Sequence, residues 1–159
     1  GIETCYAATK ATLHEVFSQL ERQGVALEGM LLKPNMVVSA SSASNRASAE
    51  TVAEMTVDCF KRTIPAAMPG IVFLSGGQDD DEATTNLNAI NIEAAKVGAP
   101  WTISYSFGRG LQAAPLKAWL GNAENVPAAQ AAFHRRALLT SAAQQGKYTP
   151  QMETNSSFG

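Results

Sequence analysis

Pro69-Gly70-Ile71-Val72-Phe73-Leu74-Ser75-Gly76-Gly77 sets four apolar side chains in a row between two glycine breaks. The run is uninterrupted and β-branched at its start. That suits a strand buried on both faces, as in a parallel sheet layered with helices. The flanks agree. Upstream, Val52, Met55, Cys59 and Phe60 line one face of a helix that Ser48 caps and Pro65 stops. Downstream, Asp79, Asp80, Asp81 and Glu82 crowd the first turn of another helix, where the macrodipole favours negative charge. That helix runs to about Lys96 with Leu87, Ile90 and Ala94 inward. Gly98 and Pro100 end it.

The alternation continues outward in both directions. Leu13, Val16, Phe17 and Leu20 follow helical spacing, so about residues 6–23 read as a helix with Gly24 at its C-terminal cap. Residues 27–37 then form a short apolar run that reads as a strand carrying Lys33, with Pro34 holding Lys33 extended. The small residues of 39–45 make a loop. Beyond the central strand, residues 101–105 read as a third strand and 106–110 as its turn. A short helix spans 111–119. A longer one runs from the N1 proline Pro127 to Gln145, and a polar tail at 151–159 reads as mobile. The chain is α/β, with about three βα units and C-terminal helices. A closed barrel needs eight units in about 250 residues. On spacing alone, these units belong to part of a barrel or to a small open parallel sheet.

Composition narrows the function classes. The 159 residues are 45% hydrophobic and carry a net charge of −2, ordinary for a globular domain. Lys and Arg are scattered, with no basic-aromatic interleaving, which argues against nucleic acid. No apolar run approaches the roughly 20 residues of a membrane span. The start, Gly1-Ile2-Glu3-Thr4-Cys5, has no signal-peptide pattern and no initiator Met, so it reads as the interior of a longer protein. Cys5 and Cys59 are the only cysteines and fit a reducing compartment. No His, Cys or Asp cluster has metal-ligand spacing, and neither metal nor cofactor is expected.

The unusual residues fall at the C-terminal ends of the three strands, the edge where barrels and open parallel sheets place their sites. Lys33 ends the first. A lysine there ordinarily reaches solvent along its stem. Buried and deprotonated, it is instead a nucleophile of the kind Schiff-base chemistry requires. Ser75-Gly76-Gly77 ends the second, where glycines let backbone N–H groups approach an anion ahead of a helix N-terminus. Taken alone, Ser-Gly-Gly is a plain turn. The neighbouring acids would repel phosphate if they faced inward, so they are placed in solvent. Ser106-Phe107-Gly108-Arg109 follows the third, with Gly108 for close approach and Arg109 to fork onto phosphate. Together they suggest a sugar phosphate bearing a carbonyl. Glu28 alternates to the face opposite Lys33 and reads as a structural partner. Trp101 and Trp119 read as packing. Asn86, Asn88 and Asn91 have no evident partners.

Several segments carry a family resemblance. Leu27-Glu28-Gly29-Met30-Leu31-Leu32-Lys33-Pro34-Asn35-Met36-Val37, Phe73-Leu74-Ser75-Gly76-Gly77-Gln78 and Asn86-Leu87-Asn88-Ala89-Ile90-Asn91 form the first group. Ser104-Tyr105-Ser106-Phe107-Gly108-Arg109, Leu116-Lys117-Ala118-Trp119 and Gln145-Gly146-Lys147-Tyr148 form the second. Together they resemble the C-terminal part of the class I (Schiff-base) fructose-1,6-bisphosphate aldolases, over about residues 6–150. The resemblance implies that residues 1–150 are the C-terminal portion of a (β/α)8 TIM barrel. It implies a lyase that cleaves fructose 1,6-bisphosphate reversibly to dihydroxyacetone phosphate and glyceraldehyde 3-phosphate, in glycolysis, gluconeogenesis or the Calvin cycle. Lys33 matches the iminium-forming lysine. Ser75, Gly76, Ser106, Gly108 and Arg109 match the phosphate-binding positions. The family is usually homotetrameric, and cytosol or plastid would be its compartment.

Some family features have no match here. The acid–base carboxylates and lysine, an aspartate near the substrate and the basic groups for the other phosphate lie on earlier strands. The family's tail often ends in a tyrosine, whereas this chain ends Ser156-Ser157-Phe158-Gly159. The loop at 39–45 lacks a Pro-Gly expected soon after the lysine strand. The chain on its own is therefore expected to be inactive in turnover. A non-catalytic partial barrel that binds sugar phosphates is the alternative.

Overall fold

The computed structural model describes residues 1–154. Five helices and two strands follow one another along it: α1 (Ile2–Arg22), α2 (Ala49–Lys61), β1 (Gly70–Phe73), α3 (Asp80–Lys96), β2 (Thr102–Tyr105), α4 (Arg109–Trp119) and α5 (Val126–Gln144). Three short 3-10 turns lie at Leu27–Gly29, Ala123–Asn125 and Pro150–Glu153. β1 and β2 pair in parallel, with Ile71 opposite Ile103 and Phe73 opposite Tyr105. No described helix is long and apolar enough to cross a membrane.

The predicted first strand is only partly a strand. Leu27–Gly29 winds into a 3-10 turn, so the alternation that opposed Glu28 to Lys33 does not hold. Only Leu32 bridges to Ile71, in parallel. The Leu32 N–H donates to the Gly70 carbonyl at 3.1 Å, Val72 returns a bond to the Leu32 carbonyl at 2.8 Å, and Leu74 donates to the Pro34 carbonyl at 3.1 Å. In this parallel pattern the next rung would come from the N–H of residue 34. Proline has none, and the ladder is interrupted there.

The core lies on one face of this sheet. Ile71, Phe73 and Ile103 are buried against Val52, Val57 and Phe60 of α2 and Leu87 and Ile90 of α3. The Phe60 and Phe73 rings stack with centroids 5.7 Å apart. The opposite face carries no covering layer among the described residues. Val72 and Leu74 are only half-buried, and Leu31 is 63% exposed. The expectation of a central strand buried on both faces is corrected accordingly.

Local signals account for the helix ends. Gly24, at φ +65°, follows α1, and Val25 N–H reaches back to the Leu20 carbonyl at 3.0 Å. Ser48 Oγ caps α2 by accepting from Thr51 N–H at 3.3 Å. α4 begins two residues earlier than expected, so Arg109 is its first residue and Gly108 its N-cap. Trp101 is buried and donates to the Pro65 carbonyl at 3.0 Å, whereas Trp119 is 41% exposed rather than packed. Cys5 and Cys59 are free thiols, and burial pushes Cys59 up to about 11.

The last described residues contact α5. Pro150–Glu153 is turned back onto the buried Arg136 of α5, whose guanidinium Nη1 donates to both Glu153 carboxylate oxygens at 2.8 Å. Of the tail expected at 151–159, Gln151, Met152 and Glu153 lie in this turn. The tail's residues 155–159 lie outside the described residues.

Candidate active site

Register decides which side chains share the sheet's open face. The Leu32–Ile71–Ile103 row faces the helices, so the next row, Lys33, Val72 and Ser104, faces the other way. Asn35, Leu74 and Ser106 follow one layer higher on that same face. Lys33 is exposed, not buried as the nucleophile argument supposed. The open face leaves its stem nothing to pack under among the described residues, and the side chain extends into solvent.

The corner after β1 is built tightly. Gly76 and Gly77 sit at φ +62° and +81°, a left-handed backbone that only glycine takes without cost. The Asn35 side chain fills the space that a Cβ on Gly76 would need, which ties the Lys33 segment to this corner. Ser75 is 5% exposed. Its carbonyl accepts from Gln78 N–H at 3.1 Å and from Gln78 Nε2 at 2.8 Å. Gln78 Oε1 accepts in turn from Asn86 Nδ2 at 2.6 Å, and both amides are buried.

The corner after β2 lies alongside. Ser106 N–H donates to the Phe73 carbonyl at 2.8 Å, holding the second loop to the end of β1. A Cβ on Gly110 would meet Ser75 Cβ at 3.3 Å, and one on Gly77 would stand 3.6 Å from Arg109 Nη2. Ser75, Gly76, Ser106, Gly108 and Arg109 therefore come from two adjoining loops, and Gly76, Ser106, Gly108 and Arg109 are exposed to solvent. Leu111 and Gln112 N–H both donate to the Gly108 carbonyl, at 3.0 and 3.1 Å, so the N–H groups of Arg109 and Gly110 are the ones at the start of α4 with no partner within the helix. With the Arg109 guanidinium beside them, they offer donors and positive potential to an anion.

The acidic run at the start of α3 is split. Asp79 and Asp81 face solvent as expected, but Asp80 is half-buried, and burial pushes its carboxyl up. Its backbone carbonyl accepts from Arg136 Nη2 at 2.9 Å. A cleft of about 700 Å3 opens beside Gly76 and Gly77, walled by Asn35, Ser39, Arg46 and Glu82. Arg46 and Glu82 pair across it.

Sequence reasoning overlooked Asn35 and Gln78, and it left the asparagines of α3 without partners. Asn88 Oδ1 accepts from Tyr148 N–H at 3.0 Å, docking residues 145–148 on α3. Asn91 bonds back to the Leu87 carbonyl at 3.0 Å. Asn86 interrupts the stripe of Ala83, Leu87 and Ile90 on the inward face of α3. A polar residue in a buried stripe demands a buried partner, and that was the available signal for Gln78.

Comparison with known proteins places the chain in a family. Residues 1–158 match the family model for class-I fructose-bisphosphate aldolase. The chain is 51% identical over 148 residues to the cytosolic fructose-bisphosphate aldolase 5 of Arabidopsis thaliana, covering 93% of this chain and 40% of that protein. It is 46% identical over 149 residues to the non-muscle aldolase of the lamprey Lethenteron camtschaticum, covering 94% and 40%. Among solved structures, it superposes with a TM-score of 0.88 on the aldolase of Plasmodium falciparum, crystallised with TRAP and a small-molecule inhibitor. That match is 44% identical and covers 94% of this chain and 42% of the other. The chain thus spans about 40% of the length of the curated relatives it matches.

Proposed function

The chain belongs to the class-I fructose-bisphosphate aldolase family, and on that premise we propose that it supplies the Schiff-base half of an aldolase active site. In this reading Lys33 is the nucleophile. Its neutral amine adds to the C2 carbonyl of fructose 1,6-bisphosphate, and loss of water leaves a protonated imine. The imine draws electrons from the C3–C4 bond as that bond breaks. A base takes the C4 hydroxyl proton, and glyceraldehyde 3-phosphate leaves. The enamine takes a proton at C3, and water releases dihydroxyacetone phosphate and restores Lys33. Ser75, Gly76, Ser106, Gly108 and Arg109 hold one phosphate. The groups that move these protons are not assigned among the described residues.

The observation that carries the reading is the meeting of three strand ends. Asn35, two residues beyond Lys33, fills the hollow over Gly76, and the Gly77 corner adjoins Arg109. The Lys33 segment and the two glycine corners therefore share one sheet edge, which supports reading them as an amine beside an anion cradle. The open face supports a further step in the same reading, in which the sheet is a segment of a (β/α)8 barrel whose other strands cover Lys33. A homotetramer in the cytoplasm, or in a plastid, completes it. Several relatives are named cytosolic or cytoplasmic aldolases.

Borohydride reduction in the presence of dihydroxyacetone phosphate, followed by peptide mapping, tests it. A reduced adduct on the peptide holding Lys33 supports the aldolase reading. An unmodified peptide in a protein that still binds phosphate supports a non-catalytic sugar-phosphate-binding piece instead.

A further inference from the structure

We propose that Gln78 is the positioning residue that aims the Gly76 N–H at a phosphate oxygen; this rests on the anion-cradle reading above. The peptide joining Ser75 to Gly76 is trans and planar, so its carbonyl and N–H point in opposite directions. Gln78 holds that carbonyl twice, through its backbone N–H at 3.1 Å and its side-chain Nε2 at 2.8 Å. Pinning the carbonyl toward Gln78 turns the Gly76 N–H away from it, out of the corner.

The Gln78 amide is itself held. Its oxygen accepts from Asn86 Nδ2 at 2.6 Å, and its nitrogen also lies 3.6 Å from Met36 Sδ. Gln78 is 8% exposed and Asn86 4%. A buried, partnered amide has a fixed orientation, because any rotation would leave polar atoms unpaired. The two glycines make the corner flexible by nature. The Asn86–Gln78–Ser75 chain of hydrogen bonds removes that freedom by fastening it to α3. Binding of a phosphate then avoids ordering the loop at the moment of binding.

The test compares the protein with a Gln78→Met variant, which keeps the bulk beside Met36 and loses the donor. Inorganic phosphate binding is measured by calorimetry. Imine trapping at Lys33 is measured with limiting dihydroxyacetone phosphate and with unphosphorylated dihydroxyacetone. Phosphate affinity and trapping of the phosphorylated ketone are expected to fall about 3- to 10-fold, the effect of one buried hydrogen bond. Trapping of dihydroxyacetone is expected to stay unchanged, which a general loosening of the fold would not allow. Unchanged phosphate affinity, or an equal loss for both ketones, overturns the proposal. If Gln78→Met fails to fold by circular dichroism, Gln78→Asn, whose shorter arm cannot span to the Ser75 carbonyl, takes its place with the same expectations. Unaltered protein that neither binds phosphate nor traps either ketone defeats the underlying reading, and the proposal falls with it. Binding lost only in the variant is a different outcome and supports the proposal.

Discussion

Arg136 on α5 and Glu153 in the terminal 3-10 turn form a partly buried ion pair, with guanidinium Nη1 2.8 Å from both carboxylate oxygens. The same guanidinium reaches α3, donating from Nη2 to the Asp80 carbonyl at 2.9 Å and to Thr84 Oγ1 at 2.7 Å. One side chain thereby joins the last helix, the helix after the Gly76 corner and the end of the described chain. Removing it takes the cationic partner from a partly buried carboxylate, which keeps only the Tyr148 hydroxyl at 3.0 Å, and one donor each from Thr84 Oγ1 and the Asp80 carbonyl. Arg136→Met should cost about 3 kcal/mol. At roughly 2–4 °C per kcal/mol for a chain of this size, the melting temperature should fall by about 6–12 °C. A fall of under 2 °C by calorimetry would show that the pair is structurally idle.

Tyr148 gives an alkaline signature. Burial first, and then the hydrogen bond to Glu153, push its phenol up to about 12 from 10.0. The raised folded value favours the neutral phenol. Its stabilisation is whole below pH 10 and is lost as pH rises toward 12. Tyr148→Phe should flatten the decline in melting temperature over that window. An equally steep decline in the variant would locate the alkaline transition elsewhere.

Asp58 gives the acid counterpart. The Arg62 guanidinium and then the Tyr6 hydroxyl, 2.6 Å away, hold its carboxyl below the ordinary value of 3.8. A lowered folded value means stabilisation that is present above pH 3.8 and lost as pH falls through the folded value. The pair is exposed, so the effect is small and screened by salt. Asp58→Asn should reduce the slope of melting temperature against pH below about 4 and leave it unchanged near neutrality. A slope identical to that of the unaltered protein counts against the assignment.

Lys33→Arg should abolish imine trapping, because a guanidinium does not surrender its proton at accessible pH. Mapping of the reduced adduct checks this directly. Adduct retained at full yield would assign the imine to another lysine.

Gly76→Ala should be costly twice. The left-handed φ of +62° strains a Cβ, and the Asn35 side chain already occupies its place. A loss of about 1–3 kcal/mol in stability is expected, together with weakened phosphate binding. Asn35→Gly in the same background should recover part of the stability by vacating the hollow. No recovery in urea denaturation would place the cost in backbone strain alone.

Much of the architecture could be read from residue order, and particular elements show why. The buried stripe of α2, its Ser48 cap and the run at Ile71–Leu74 are short-range patterns that need no distant partner to be recognised. Lys33 shows the opposite case. Its position at a strand end was evident, but its exposure depends on what covers the sheet's far face. Gln78 was missed for a related reason. It follows a turn and looks like a solvent residue until Asn86, eight positions later, is brought over it by the first turns of α3.

Helix caps, the parallel crossover pattern and the gathering of lysine, glycine and arginine at the strand ends follow from local spacing, since backbone sterics and hydrophobic periodicity act over a few residues. Folding settled which carbonyl Gln78 holds, which hollow Asn35 fills, and that Arg136 joins its own helix to two other elements at once. Those contacts join positions up to 56 apart, and their energies depend on burial, which no short span of residues specifies.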